Sequence, residues 1–171
     1  MELKIIDNFL PEREFQILVN AITGISPAID FRVVSTVEDS ASGSEDYWSW
    51  YMIHMIYSMD MPQSKIYSDI CRMFVPKFYE VANFKTMSRI KINAYPYTNI
   101  VKEHKEHTDT NYSHTGAVFS INTCDGYTKI KGESKVQSIA NRIVFFDASE
   151  PHQSTTTSNA KLRYNINFNF L

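Results

Sequence analysis

The period of the hydrophobic pattern changes near residue 87. Before that point apolar positions mostly recur at helical spacing. "LPEREFQILVNAI" lines up Phe15, Leu18, Val19 and Ile22 on one face, with Pro11 placed to start a helix. "YWSWYMIHMIYSM" and "SKIYSDICRMFVPKFYEVA" read as two further apolar-faced helices, while "LKIID" and "FRVVSTV" read as short strands. From residue 87 onward the period is 2. "MSRIKINAY" places Ile90, Ile92 and Ala94 on one face and Arg89, Lys91, Asn93 and Tyr95 on the other. "TGAVFSIN", "YTKIK", "SKVQSIA" and "RIVFFD" are short strands separated by Asp-Gly, Gly-Glu and Asn turns. In the final "KLRYNINFNFL", Leu162, Tyr164, Ile166, Phe168 and Phe170 alternate with Lys161, Arg163, Asn165, Asn167 and Asn169.

Such two-faced strands need an apolar cover on one side, and the helices of the first half can supply it. The opposite faces look either outward to water or inward to a polar cavity. Helices followed by many short strands predict an α+β fold, a rolled sheet or barrel with helices on one side. No repeat or linker divides the chain, so residues 1–171 are expected to form one domain. Within it, 1–86 hold a strand and supporting helices, and 87–171 a strand-rich core. "EDSASGSED" is small, polar and acidic, hence a loop. The wider stretch 36–50 reads either as a lid over a site or as a turn leading into the next apolar segment.

Composition narrows the field. At 43% hydrophobic residues the chain can build one real core. A formal charge of −2 gives no electrostatic case for nucleic acid or a membrane surface as partner. Cys71 and Cys124 make no disulfide framework and read as free thiols. The N-terminus "MELKIIDNFLPERE" is too charged for a signal peptide and no apolar run has membrane-spanning length, so a cytoplasmic, reducing location is expected.

The chemistry concentrates in "EHKEHTDTNYSH", residues 103–114, which holds three of the five histidines. His104 and His107 share a face only on a helix; His107 and Asp109 share one only on extended chain. The segment follows Pro96 and a strand, precedes another strand, and contains Thr108, Thr110 and Asn111, which favours the extended form and the second pair. A first-row metal needs a third ligand brought by the fold. His54, in "WYMIHMIY", reads as a packed helical residue, and His104 and His114 as solvated groups or neighbours of the site. That leaves His152, in "FFDASEPHQSTTTS". Two imidazoles and one carboxylate on a face of an octahedron leave three positions open, which suits Fe(II). Arg163 follows His152 by eleven residues on the polar face of the last strand, and its guanidinium fork is shaped for a carboxylate.

In this order, His107-Thr108-Asp109, His152, Arg163, the residues resemble the Fe(II)/2-oxoglutarate-dependent dioxygenases. The likeness spans roughly residues 87–171 and is nearest the small prolyl-4-hydroxylase-like members, including those of bacteriophages, whose first strand and helix "IIDNFLPERE" also resembles. The resemblance implies a double-stranded β-helix, or jelly roll, with N-terminal helices packed on one sheet. It implies Fe(II) on His107, Asp109 and His152, with 2-oxoglutarate chelating the metal and its far carboxylate on Arg163 or, as a substitute, Lys161. Asn93 and Tyr95 of "NAY" match co-substrate contacts in family members. "RYNINF", with Asn165, resembles the tail of the nucleic-acid demethylases, but Asn169 stands where their final Arg would be. The implied activity is hydroxylation of a peptidyl residue or small metabolite by O₂, releasing succinate and CO₂, with ascorbate as an accessory reductant. The rival readings are a non-catalytic jelly-roll binding or structural module and a cupin-type metal enzyme, which leaves Arg163 without a role.

Overall fold

The computed structural model describes residues 2–35, 47–132 and 134–171; most of the 36–50 stretch lies outside the described residues. Thirteen elements follow in order: β1 (Lys4–Ile6), α1 (Glu12–Thr23), β2 (Arg32–Val34), β3 (Tyr51–Ser58), β4 (Met61–Pro62), α2 (Tyr67–Val81), β5 (Met87–Pro96), β6 (Thr115–Ser120), β7 (Tyr127–Ile130), β8 (Ser134–Gln137), β9 (Ile143–Asp147), β10 (His152–Gln153) and β11 (Leu162–Phe170). The large sheet runs β1-β9-β6-β11-β5-β3-β2, with β4 attached to β3; the small sheet runs β10-β7-β8. Every pairing between these strands is antiparallel. This is a jelly roll, with the two helices on the outer face of the large sheet.

The alternation read from the sequence decides how the layers meet. Phe15, Leu18 and Ile22 of α1 and Ile70, Met73, Phe74 and Phe78 of α2 pack on Ile90, Ile92, Phe119, Phe145, Ile166, Phe168 and Phe170 of the sheet. Phe74 lies tilted 4.7 Å from Phe168, and Phe78 stacks 5.0 Å from Phe170, ring centroid to centroid. Rings this deeply buried destabilise by about 3–5 kcal/mol when truncated to alanine. A second apolar cluster, Val118, Ile130, Val136, Val144, Phe146 and Ala148, joins the two sheets. Asn141, at φ 62°, turns the chain before β9. Its side chain accepts from the Leu10 N–H at 2.9 Å and donates to the Leu10 carbonyl at 2.8 Å, tying the approach to α1 onto the sheet.

Two expectations are corrected. "YWSWYMIHMIYSM" is not a helix: its centre is β3, which lies between β5 and β2. Apolar residues fill both faces of this inner strand, and a register shift between Met55 and Tyr57 breaks its alternation, so its period was not that of a strand. His54 therefore sits on a strand, where its ring bonds the Asp30 carbonyl and the Ser64 hydroxyl, each at 2.7 Å. The large sheet also draws strands from both halves of the chain, because β1, β2 and β3 extend it. Both cysteines are free thiols. Among the described residues no helix is long and apolar enough to cross a membrane.

Candidate metal centre

The polar faces of β5 and β11 turn inward. Arg163, Asn165 and Asn169 are at most 3% exposed although they alternate with core phenylalanines. Antiparallel register sets them opposite their partners in four rungs: Arg163 with Tyr95, Asn165 with Asn93, Asn167 with Lys91, and Asn169 with Arg89. Asn93 donates to the Asn165 side-chain carbonyl at 2.8 Å, and Arg89 Nε to that of Asn169 at 3.1 Å. The ladder forms one wall of a recess that is partly open to solvent. Tyr51, Lys91, Asn93, Tyr95, His107 and Thr128 are among its lining residues.

At one end of the ladder three ligand-type side chains converge. One ligand atom from each of His107, Asp109 and His152 lies within 4.8 Å of the others. The backbone arranges this directly. His107 and His152 exchange both N–H···O bonds at 2.9 Å, and the Asp109 N–H donates to the Ala148 carbonyl at 3.1 Å. The pair two residues apart therefore does share a side, as extended chain requires, although it lies in a bridged loop and not a long strand.

The donor set fits a divalent metal. His152 Nδ1 is 2.9 Å from the Glu150 carbonyl, so it carries the proton and leaves Nε2 with its lone pair free. That Nε2 is buried, has no hydrogen-bond partner, and sits 3.9 Å from Asp109 Oδ2. His107 Nδ1 is likewise buried without a partner. Burial holds both imidazoles below their ordinary pKa, hence neutral at pH 7, the form a metal requires. Asp109 shows the opposite result. Burial pushes its carboxyl up, but Arg89, His152, the Asn169 hydrogen bond and Lys91 together hold it well below the usual carboxylate range.

Asp109 is gripped from two strands. Arg89 Nη2 meets Oδ1 at 2.7 Å, and Asn169 Nδ2 donates to Oδ2 at 2.8 Å. Asn169 also contacts His114 Nε2 at 2.7 Å. His114 and His104 are 5% and 2% exposed, so the solvated reading of both is corrected, while their place as neighbours of the site holds. The His104 ring lies 5.3 Å from Tyr95 and 5.6 Å from Trp48, and Lys102 sits over the Trp48 indole. Burial drives His104 down to about 4.

Arg163 stands at the far end. Its guanidinium lies 5.4 Å from the Tyr95 ring centroid, donates to Thr128 Oγ1 at 2.8 Å and to the Thr155 carbonyl at 3.3 Å, and its Nε has no partner. It is behind Tyr95 and Thr128, which line the recess, and does not line it itself. Gly126 makes this possible: a Cβ there would stand 2.6 Å from Arg163 Cδ. Lys161 is exposed and precedes β11, so it is no substitute within the recess. Asn93, Tyr95 and Asn165 all line the recess. Lys91 was on the polar face in the sequence but had no role assigned; here it lines the recess beside His107, and burial pulls its ammonium to about 8. Arg89, Tyr51, Thr128 and Gly126 were also missed. Alternation marked only the facing of Arg89, and nothing local marked the other three.

The chain has the fold of the 2-oxoglutarate/Fe(II) oxygenases. It superposes on a Pseudomonas putida prolyl-4-hydroxylase with a TM-score of 0.66 at 12% identity, over 98% of this chain and 91% of that one. A viral collagen prolyl hydroxylase from Paramecium Bursaria Chlorella virus-1, in complex with 2-oxoglutarate, gives 0.61 at 12% identity over 100% and 97%. HygX from Streptomyces hygroscopicus, with nickel and 2-oxoglutarate bound, gives 0.63 at 7% over 98% and 82%. At these identities the shared property is the fold. No family model matches the sequence, and no curated protein matches it.

Proposed function

We propose that this chain is a non-haem Fe(II)/2-oxoglutarate-dependent dioxygenase that hydroxylates a peptidyl residue or small metabolite. The observation that carries the reading is the buried, unpartnered Nε2 of His152 facing Asp109 beside His107. A buried polar atom without a partner destabilises a fold by about 1–3 kcal/mol, a loss that a metal ion would relieve. A binding module gains nothing from that arrangement, nor from a buried guanidinium behind Tyr95 and Thr128 of the recess wall.

His107, Asp109 and His152 would hold the metal. Bound Fe(II) supplies O₂ activation: 2-oxoglutarate is oxidised to succinate and CO₂, with one oxygen atom entering succinate and the other a substrate C–H bond. The rest falls to the protein. Arg89 and Asn169 keep Asp109 ionised and fixed in orientation. The Glu150 carbonyl keeps the His152 proton on Nδ1. We assign Arg163, with Tyr95 and Thr128, to the distal carboxylate of 2-oxoglutarate, and Asn93 and Asn165 to the wall along which it lies.

Addition of 2-oxoglutarate to the anaerobic Fe(II) protein should produce a weak visible charge-transfer band. Admission of air should then release succinate slowly without any substrate, and ascorbate should prolong that release. Absence of both band and succinate in folded protein would refute the proposal.

A further inference from the structure

Lys91 lines the recess and is not used by the reading above. It occupies the rung next to the Arg89–Asn169 pair that grips Asp109, whereas Arg163 stands three rungs away from that pair. Successive rungs are two residues apart, roughly 7 Å along the strand. Lys91 is thus a second cation, near the metal end. Among the described residues its ammonium forms no ion pair; the contact it makes is with the face of Tyr51, 5.8 Å from the ring centroid.

What separates this lysine from an ordinary snorkelling side chain is the charge of the filled site. Asp109 is offset by Arg89, and the two charges of a divalent metal by those of 2-oxoglutarate. Arg163 and Lys91 then remain as two positive charges, and none of the residues lining the recess is acidic. Arg163 serves the distal carboxylate of the co-substrate. Lys91 is left facing the space beside His107, where the carbon to be oxidised must come.

We propose that Lys91 binds a carboxylate of the primary substrate, so that the substrate class is a small carboxylic acid oxidised a few bonds from its carboxylate. The inference rests on the oxygenase reading. The recess is lined by a dozen residues and would be shared with 2-oxoglutarate, which suits a small molecule. An uncharged amide of the same shape lacks the group that the ammonium recognises.

The test uses the full chain loaded with Zn(II) and 2-oxoglutarate, which cannot turn over. Straight-chain three- to eight-carbon monocarboxylates and their primary amides are the probes, and their binding is read by ligand-observed proton NMR. At least one acid should bind about tenfold or more tighter than its amide, as one charge-assisted contact provides. In Lys91→Met and Lys91→Gln that preference should fall to near unity, while 2-oxoglutarate affinity stays within about threefold, which also certifies that the variants are folded. No preference in the wild type, or a preference that survives both substitutions, would overturn the inference and leave the oxygenase reading standing. A loss of 2-oxoglutarate affinity of about tenfold or more in both variants would overturn it too, by assigning Lys91 to the co-substrate. Failure of the wild type to give the Fe(II)/2-oxoglutarate band is distinguishable from these, because it removes the oxygenase reading itself.

Discussion

Replacing Arg163 by methionine separates co-substrate binding from folding. The guanidinium is 1% exposed, makes one good hydrogen bond to Thr128 and one long one to the Thr155 carbonyl, and stacks on Tyr95. Losing two bonds from a charged donor destabilises by about 1.5–3 kcal/mol each. Removing a buried cation with no carboxylate partner returns several kcal/mol of desolvation, and methionine refills the space of the stem against Gly126. The two terms oppose each other, so the net change in unfolding free energy should be below about 2 kcal/mol in magnitude. Binding has no such offset. The distal carboxylate of 2-oxoglutarate loses a paired, charge-assisted contact of about 2–4 kcal/mol, an increase in Kd of roughly 30- to 900-fold. Anaerobic titration of the Fe(II) protein with 2-oxoglutarate, followed through the visible band, measures this, and urea unfolding checks the fold. Arg163→Lys keeps the charge without the fork and should fall between the two. A methionine variant with an unchanged urea midpoint and a 2-oxoglutarate Kd within about threefold of wild type would refute the assignment.

Three further outcomes are expected. Ni(II) at about 100 times its Kd should stabilise the protein by about 2.7 kcal/mol, a rise in Tm of roughly 5–11 °C for a chain of this size, and His152→Ala should abolish most of it. Asn169→Ala, which removes the donor to Asp109 Oδ2 and a partner of Arg89 Nε, should weaken metal binding about 10- to 100-fold by competition titration. His104, whose folded pKa lies near 4 against 6.5 unfolded, stays neutral in the fold where the unfolded chain takes up a proton. Stability of the metal-free protein should therefore be full above about pH 6.5 and fall by up to about 1.4 kcal/mol per pH unit on this residue's account as pH drops toward 4. His104→Gln should flatten that slope in urea titrations, and an unaltered slope would remove His104 from the account.

Much of this molecule was legible before any coordinates. Leu162 to Phe170 and Met87 to Tyr95 declared two-faced strands because side-chain direction alternates residue by residue, a property of local backbone geometry alone. The same rule chose His107 with Asp109 over His104 with His107. His152 followed from setting the other histidines aside and from the order of the set, and its meeting with Asp109 is a long-range event that no local rule supplies. β3 was misread for the converse reason: buried on both faces and carrying a bulge, it had lost the alternation that identifies a strand.

What the sequence by itself determined was which residues share a face and which of them carry chemistry. Only the tertiary structure decided that the polar face turns inward, since alternation is equally compatible with water on that side. Strand pairing then chose the partners: Arg89 comes opposite Asn169, so both reach Asp109, and Lys91 falls one rung away without an ion pair of its own among the described residues. Register and burial depend on residues brought together across some 80 positions of chain, as Arg89 and Asn169 are. That distance is why alternation left the lysine's face open to either water or a cavity.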